Sequence, residues 1–133
     1  RPEYLARYRV ADLFLDTLPY NAGTTASDAL RMGLPVLTLK GNSYSSRMAA
    51  SIISAVNLPE LITTSYEEYE SLAIELATDL DKLKIIKDKL LSNLSKAPLY
   101  DTPLFTRSLE AAYSVMYDRY QKGLGSEHIY VKH

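Results

Sequence analysis

The chain has 133 residues, of which 47% are hydrophobic and 23% charged, and its formal net charge at pH 7 is −1. This balance argues against nucleic acid or an anionic membrane surface as the main partner. The absence of cysteine excludes a disulfide framework and a thiolate nucleophile. No apolar run of about 18 residues is present, so the sequence predicts no membrane span, and we expect a cytoplasmic protein.

The only two histidines, His128 and His133, lie near the C-terminus, so a histidine-based metal site inside the fold is not expected. The length suits one domain. Because the chain begins at Arg1 without a methionine, we expect that sequence upstream has been removed.

The first half of the chain alternates predicted helices and strands. Pro2 at a first helical position predicts a short helix over residues 2–10. Apolar runs without polar alternation predict strands over residues 12–16 and 36–39, both covered on two faces as in a parallel sheet. Between them a helix is predicted over residues 25–32, ended by Gly33 in the left-handed conformation.

Helices dominate the rest of the chain. A helix is predicted over residues 45–56 with Met48, Ile52, Ala55 and Val56 on its buried face, followed by a short strand over residues 61–63. Ser65 and Glu68 form a capping-box pattern that opens a helix at Tyr66. The remaining predicted segments are helices over residues 66–80, 81–94 and 104–121, with residues 96–133 forming a C-terminal helix and a loosely held tail after Ser126.

About three strands with five or six helices is too little sheet for a complete doubly wound nucleotide-binding domain. The fold class predicted is therefore α/β, with an incomplete Rossmann-like parallel sheet that forms the second half of such a domain. An exposed sheet edge predicts self-association of the isolated chain.

The loop after the first strand, Asn21-Ala22-Gly23-Thr24-Thr25, places small and hydroxyl residues where a helix begins. Unpaired amides and the helix dipole favour an anion at such a position. Thr24 and Thr25 could donate to a diphosphate, and Asp28 could accept from a ribose hydroxyl. A purely structural alternative stays open, in which Thr25 is the N-cap and Asp28 completes a capping-box-like pair.

Other polar residues carry weaker signals. Asp12 and Asp16 lie about 13 Å apart along a strand, too far for one carboxylate pair, so Asp16 is expected to bond the loop backbone rather than act in catalysis. Arg7 could reach the nucleotide or belong to a solvated helix face. The serines around Arg47 could border a sugar or only cap a helix.

Two segments carry a resemblance to a known family: RYRVADLFLDTLPYNAGTTASDALRMGLPVLTLKGNSYSSRMAAS, and its continuation LPELITTSYEEYESLAIELATD. Through them the chain resembles the C-terminal catalytic region of O-GlcNAc transferase-like protein glycosyltransferases. The resemblance implies a GT-B architecture, in which this chain is the nucleotide-sugar-binding half of the C-terminal lobe of a parent protein with tetratricopeptide repeats. It also implies an inverting transfer of a sugar, with GlcNAc expected, from a nucleotide diphosphate donor to Ser or Thr of a protein acceptor.

Carried over by the resemblance, Thr24 and Thr25 are the diphosphate-binding pair and Asp28 the ribose-binding acid. Arg7 lies near the base, Arg1 approaches the ribose, and Gly23 borders the donor phosphates. The resemblance implies no metal and no other cofactor, and it places the catalytic groups upstream of this chain. We therefore expect the chain alone to be inactive.

Two residues depart from the family pattern, because Gly23 and Tyr4 stand where many relatives have histidine. Spindly-type O-fucosyltransferases, which use GDP-fucose, also lack the loop histidine, so that donor stays an alternative. A non-catalytic module that binds a nucleotide or partner, and a GT-B enzyme acting on small molecules or glycans, are the others.

Overall fold

The computed structural model describes residues 2–131. These residues divide into two compact units, the first ending at Leu99 and the second beginning at Tyr100. Within the described residues, the first unit contains three short strands and five α-helices. The strands are β1 (Phe14–Leu15), β2 (Val36–Leu39) and β3 (Ile62–Thr63). The helices are α1 (Pro2–Ala6), α2 (Thr24–Arg31), α3 (Met48–Ala55), α4 (Tyr66–Thr78) and α5 (Leu80–Leu94).

The three strands form one parallel sheet in the order β1-β2-β3. Phe14 pairs with Val36 on one side of β2, and Thr38 pairs with Ile62 on the other. Helices α2, α3 and α4 all pack against β2. The structure thus confirms an incomplete Rossmann-like sheet, in which parallel strands are joined through helices.

The core surrounds the central strand β2, whose four residues are all buried. Both faces of this strand are covered, as its unbroken apolar sequence predicted. Gly33 follows α2 with a φ of 81°, which is the left-handed conformation expected of a C-terminal cap. Fully buried side chains from the helices and connections complete the core: Leu30, Ile53, Leu58, Leu61, Leu76 and Leu90.

Strand β1 differs from its prediction. Leu15 is 53% exposed, so β1 is not covered on both faces. The reason is that Leu15 lines an open cleft on that face of the sheet. Within the described residues, β1 pairs only with β2 and lies at one edge of the sheet.

Two helices also differ from their predictions. The N-terminal helix ends at Ala6 and continues as a 3₁₀ turn over Arg7–Val10. A second 3₁₀ turn, Ser45–Arg47, precedes α3, which buries Ala49, Ala50 and Ile53. The predicted face was wrong at Met48, Ile52 and Ala55, which are only half-buried, whereas Val56 is buried as predicted.

The second unit consists mainly of α6 (Thr102–Gln121). Asp101 caps this helix by accepting a 2.8 Å hydrogen bond from the Leu104 amide. Arg119 donates to the Gly125 carbonyl at 2.6 Å and pairs with Glu127, so residues 125 and 127 contact the last turns of α6. The loosely held tail after Ser126 stays a prediction.

Candidate functional site

An open cleft of about 350 Å³ lies at the carboxyl end of β1, where open α/β sheets hold their ligands. Its walls are the strand end, the loop that follows and the start of α2. A smaller pocket of about 70 Å³ adjoins it and shares three of its lining residues. The shared residues are Tyr20, Asn21 and Gly23.

Helix α2 opens onto this cleft without a side-chain cap. The helix begins at Thr24, and its N-cap is Gly23, which has no side chain to offer. The first intrahelical bond runs from the Ser27 amide to the Gly23 carbonyl at 3.0 Å. The prediction of Thr25 as N-cap, paired with Asp28, is therefore wrong. Thr24 and Thr25 already have helical backbone, and a cap must lie outside the helix to receive first-turn amides.

The start of α2, with Thr24 and Thr25, lies at the cleft. Thr24 and Thr25 are both exposed, and Thr25 lines the cleft. The amides of the first helical turn carry the positive end of the helix dipole, which attracts an anion. This end of α2 can therefore receive a phosphate-sized anion.

The loop before α2 is fixed to the sheet by Asp16, as the sequence predicted for this residue. The buried Asp16 carboxylate accepts from the Ala22 amide at 2.7 Å and from the Thr38 hydroxyl, on β2, at 2.6 Å. The Tyr69 hydroxyl, on α4, donates to the Asp16 carbonyl at 2.8 Å. Burial and the Asp16 charge raise the pKa of Tyr69, which keeps its hydroxyl protonated as a donor.

Asn21 joins the loop to the turn that precedes α3. Its amide donates to the Ser45 carbonyl at 3.0 Å, and its side-chain Nδ2 donates to the Thr17 carbonyl at 2.8 Å. Ser45 therefore borders the smaller pocket beside Gly23. Neighbouring Ser46 is buried and hydrogen-bonded to Ser43 within the turn. Of these serines, Ser45 is the one that lines the smaller pocket.

Asp28 lies in the second turn of α2 and is 9% exposed. It faces the 3₁₀ turn Arg7–Val10 closely enough for its charge to contribute to the raised pKa of Tyr8. The larger causes are burial of Tyr8 and its 2.8 Å hydroxyl contact with Tyr4, and together they raise the pKa of Tyr8 to about 12. The two tyrosine rings also meet edge to face, with centroids 5.7 Å apart.

The structure brings only some of the predicted residues to the cleft. Gly23 and Thr25 line it, and Thr24 adjoins them. The buried Asp28, on α2, and the exposed Arg7, on the first 3₁₀ turn, lie outside its lining. Arg1 lies outside the described residues.

Sequence reasoning placed Asn21 in the loop without a role of its own, and it missed Tyr20 and Tyr69, because no short-range pattern marks them. Neither the space around residue 23 nor its backbone φ requires a glycine there. A Cβ at this position would lie 3.6 Å from Met48 Cγ, an ordinary contact.

A second cavity, of about 330 Å³, lies within the second unit between α6 and the tail. Its lining includes no helix N-terminus, whereas the cleft in the first unit has the start of α2 in its lining and is the better candidate. Within residues 2–131, no group of three or more His, Cys, Asp or Glu side chains could hold a metal ion. None of the helices in that range is both long and apolar enough to cross a membrane.

Known proteins are similar to this chain in both sequence and fold. The chain is 36% identical over 121 residues to the probable UDP-N-acetylglucosamine–peptide N-acetylglucosaminyltransferase SPINDLY of Hordeum vulgare, covering 91% of this chain and 13% of that protein. It is 33% identical over 129 residues to the UDP-N-acetylglucosamine–peptide N-acetylglucosaminyltransferase of Caenorhabditis elegans, covering 97% of this chain and 11% of that protein. The chain thus spans about an eighth of the length of these relatives.

A solved structure agrees. A mutant O-GlcNAc transferase from Thermobaculum terrenum superposes with a TM-score of 0.85 at 38% identity, over 92% of this chain and 24% of the other. The family model for glycosyl transferase family 41 matches residues 1–109, which is most of the chain. These matches confirm the resemblance found in the sequence, and the chain belongs to glycosyl transferase family 41.

Proposed function

We propose that this chain forms the nucleotide-sugar-binding part of an inverting protein O-glycosyltransferase. The reaction moves GlcNAc from UDP-GlcNAc to Ser or Thr of an acceptor protein. The observation that carries the proposal is the uncapped start of α2, which opens onto a cleft at the carboxyl end of the sheet. Family membership supports the same reaction, since the matched relatives are named as UDP-N-acetylglucosamine–peptide N-acetylglucosaminyltransferases.

In this proposal Thr24 and Thr25 bind the diphosphate through first-turn amides and hydroxyls. As the sugar–oxygen bond breaks, negative charge builds on the leaving UDP, and the helix end stabilises it. This stabilisation needs no metal ion, so we propose a metal-independent transfer. Gly23, the N-cap, borders the phosphates.

The nucleoside lies, in this proposal, toward Asp28, Arg7 and Arg1. The support is local: Asp28 and the 3₁₀ turn that carries Arg7 are neighbours on one side of α2. Asp28 accepts from a ribose hydroxyl, and the two arginines approach the base and ribose. The cytoplasmic location expected from the sequence stays a prediction.

Calorimetry of the parent protein with UDP, GDP, UDP-GlcNAc and GDP-fucose tests the donor. We expect UDP and UDP-GlcNAc to bind, and Asp28→Ala to weaken them about tenfold because a hydrogen bond to a charged group is lost. Asp88→Ala, at an exposed acid on α5, is the matched control and should leave binding unchanged. Preference for GDP-fucose would contradict the proposed donor. If a separate transfer assay found that the parent protein binds the donor but glycosylates no acceptor, a non-catalytic module would be favoured.

We also propose that the 133-residue chain is inactive alone and self-associates. Its small share of the relatives' length supports the first statement, and the edge position of β1 with its exposed Leu15 supports the second. Sedimentation should show a concentration-dependent rise in mass. A clean monomer at high concentration would contradict self-association, and sugar transfer by this chain alone would contradict its inactivity.

A further inference from the structure

A continuous set of hydrogen bonds crosses the sheet and reaches Asp16 and Ala22, which belong to the lining of the cleft. From β3, the Thr63 hydroxyl donates to the Thr38 carbonyl at 2.9 Å, and from β2 the Thr38 hydroxyl donates to the Asp16 carboxylate. The other oxygen of that carboxylate receives the Ala22 amide, and Tyr69 binds the Asp16 carbonyl. The set therefore connects all three strands and α4 to the residue just before Gly23.

We propose that Asp16 and Tyr69 are positioning residues of the donor site, acting through Ala22 on the start of α2. This inference rests on the proposed function. Ala22 immediately precedes the N-cap Gly23, so the bond from its amide to Asp16 sets where the first helical turn lies. Tyr69 fixes the backbone of Asp16 itself, and thereby fixes the carboxylate that holds Ala22.

The charge of Asp16 separates this role from direct binding. A carboxylate near the start of α2 repels a diphosphate, so its charge opposes the ligand. Its benefit is geometric, because small displacements of binding groups cost large factors in recognition. A neutral side chain of the same shape should therefore serve as well as aspartate, whereas loss of the side chain should not.

The experiment compares Asp16→Asn with Asp16→Ala in the 133-residue chain, by NMR titration with UDP at a temperature where each variant is folded. Asparagine can accept from Ala22 and donate to the Thr38 hydroxyl, which can donate or accept. We expect Asp16→Asn to bind UDP within about threefold of the unchanged chain, and Asp16→Ala to bind about tenfold more weakly. The Ala22 amide should exchange with solvent faster only in Asp16→Ala.

Tyr69→Phe provides a milder test that removes a single hydroxyl. We expect it to weaken UDP binding about threefold, without a change in the charge of the site. Tyr66→Phe, at an exposed tyrosine on the same helix, is the matched control and should change nothing.

The outcomes separate the inference from the proposed function. If the unchanged chain binds UDP and both Asp16→Ala and Tyr69→Phe bind it equally well, the positioning role is overturned while the function stands. If Asp16→Asn loses as much affinity as Asp16→Ala, the carboxylate acts by its charge and the positioning role is also overturned. If the unchanged chain binds no UDP, the proposed function fails and the inference with it.

Discussion

Replacing Thr25 with glutamate should abolish most UDP binding while making the protein slightly more stable. The new carboxylate would stand in the first turn of α2, beside the cleft. An acid at this position interacts favourably with the helix dipole, by about 0.3–1 kcal/mol. The same charge repels a diphosphate by about 1–4 kcal/mol at 4 Å. We therefore expect at least about a fivefold loss of UDP affinity together with a small rise in the thermal midpoint.

The matched control is Thr102→Glu, in the first turn of α6, within the other unit. This substitution should leave UDP binding unchanged and stabilise less, because the Asp101 carboxylate already caps α6 and repels the new charge. Isothermal titration measures the affinity, and thermal unfolding followed by circular dichroism measures the stability. Equal UDP affinity in Thr25→Glu and the unchanged chain would rule out the start of α2 as the phosphate site.

Replacing Ile86 with alanine should destabilise the first unit by about 2–5 kcal/mol. Ile86 lies on the buried side of α5 and is 5% exposed. Its truncation removes apolar area from the core and leaves a cavity that the neighbours fill only in part. Because small domains are stable by about 5–15 kcal/mol, this change should bring the unit near its unfolding threshold.

The neighbouring Ile85 offers a matched control, since it belongs to the same helix and is 68% exposed. Ile85→Ala changes helix propensity in the same way and should alter the free energy of unfolding by no more than about 0.5 kcal/mol. Urea unfolding curves of both variants provide the comparison. A similar loss in the two would show that α5 does not pack against the core through Ile86.

Local patterns predicted the elements best where several signals agree. β2 occupies the four predicted residues, because Gly33 ends α2, Pro35 prevents its continuation and the apolar run that follows is fully buried. The Ser65 cap was also predicted correctly, because Ser65 and Glu68 together form the capping-box pattern. The Ser65 hydroxyl accepts from the Glu68 amide at 3.1 Å, while the Glu68 carboxylate turns back to Thr64 at 2.8 Å.

The predictions of the α2 cap and of the buried face of α3 failed, because a shift of one or two residues changes both. Two adjacent threonines gave no signal to choose between a cap at Thr25 and a helix already begun at Thr24. In α3 the small Ala49 and Ala50 are buried while the larger Met48 and Ile52 are half-buried, so a face chosen by apolar side-chain size lies one residue away.

The support of the candidate site could not be predicted from local patterns. Tyr69 lies 53 residues from Asp16, and Thr38 lies 22 residues from it. Only the folded sheet brings such residues together. The resemblance identified the donor-facing loop through contiguous residues, whereas its hydrogen-bonded support depends on tertiary contacts.

The central claim is that the start of α2 receives the diphosphate of a nucleotide sugar. The most direct measurement is the change in backbone amide NMR shifts of the 133-residue chain on addition of UDP. We predict that the largest changes fall on Gly23, Thr24, Thr25 and Ala26, and that uridine without its diphosphate does not reproduce them. Shifts that cluster around the cavity beside α6, or none at saturating UDP, would contradict the claim.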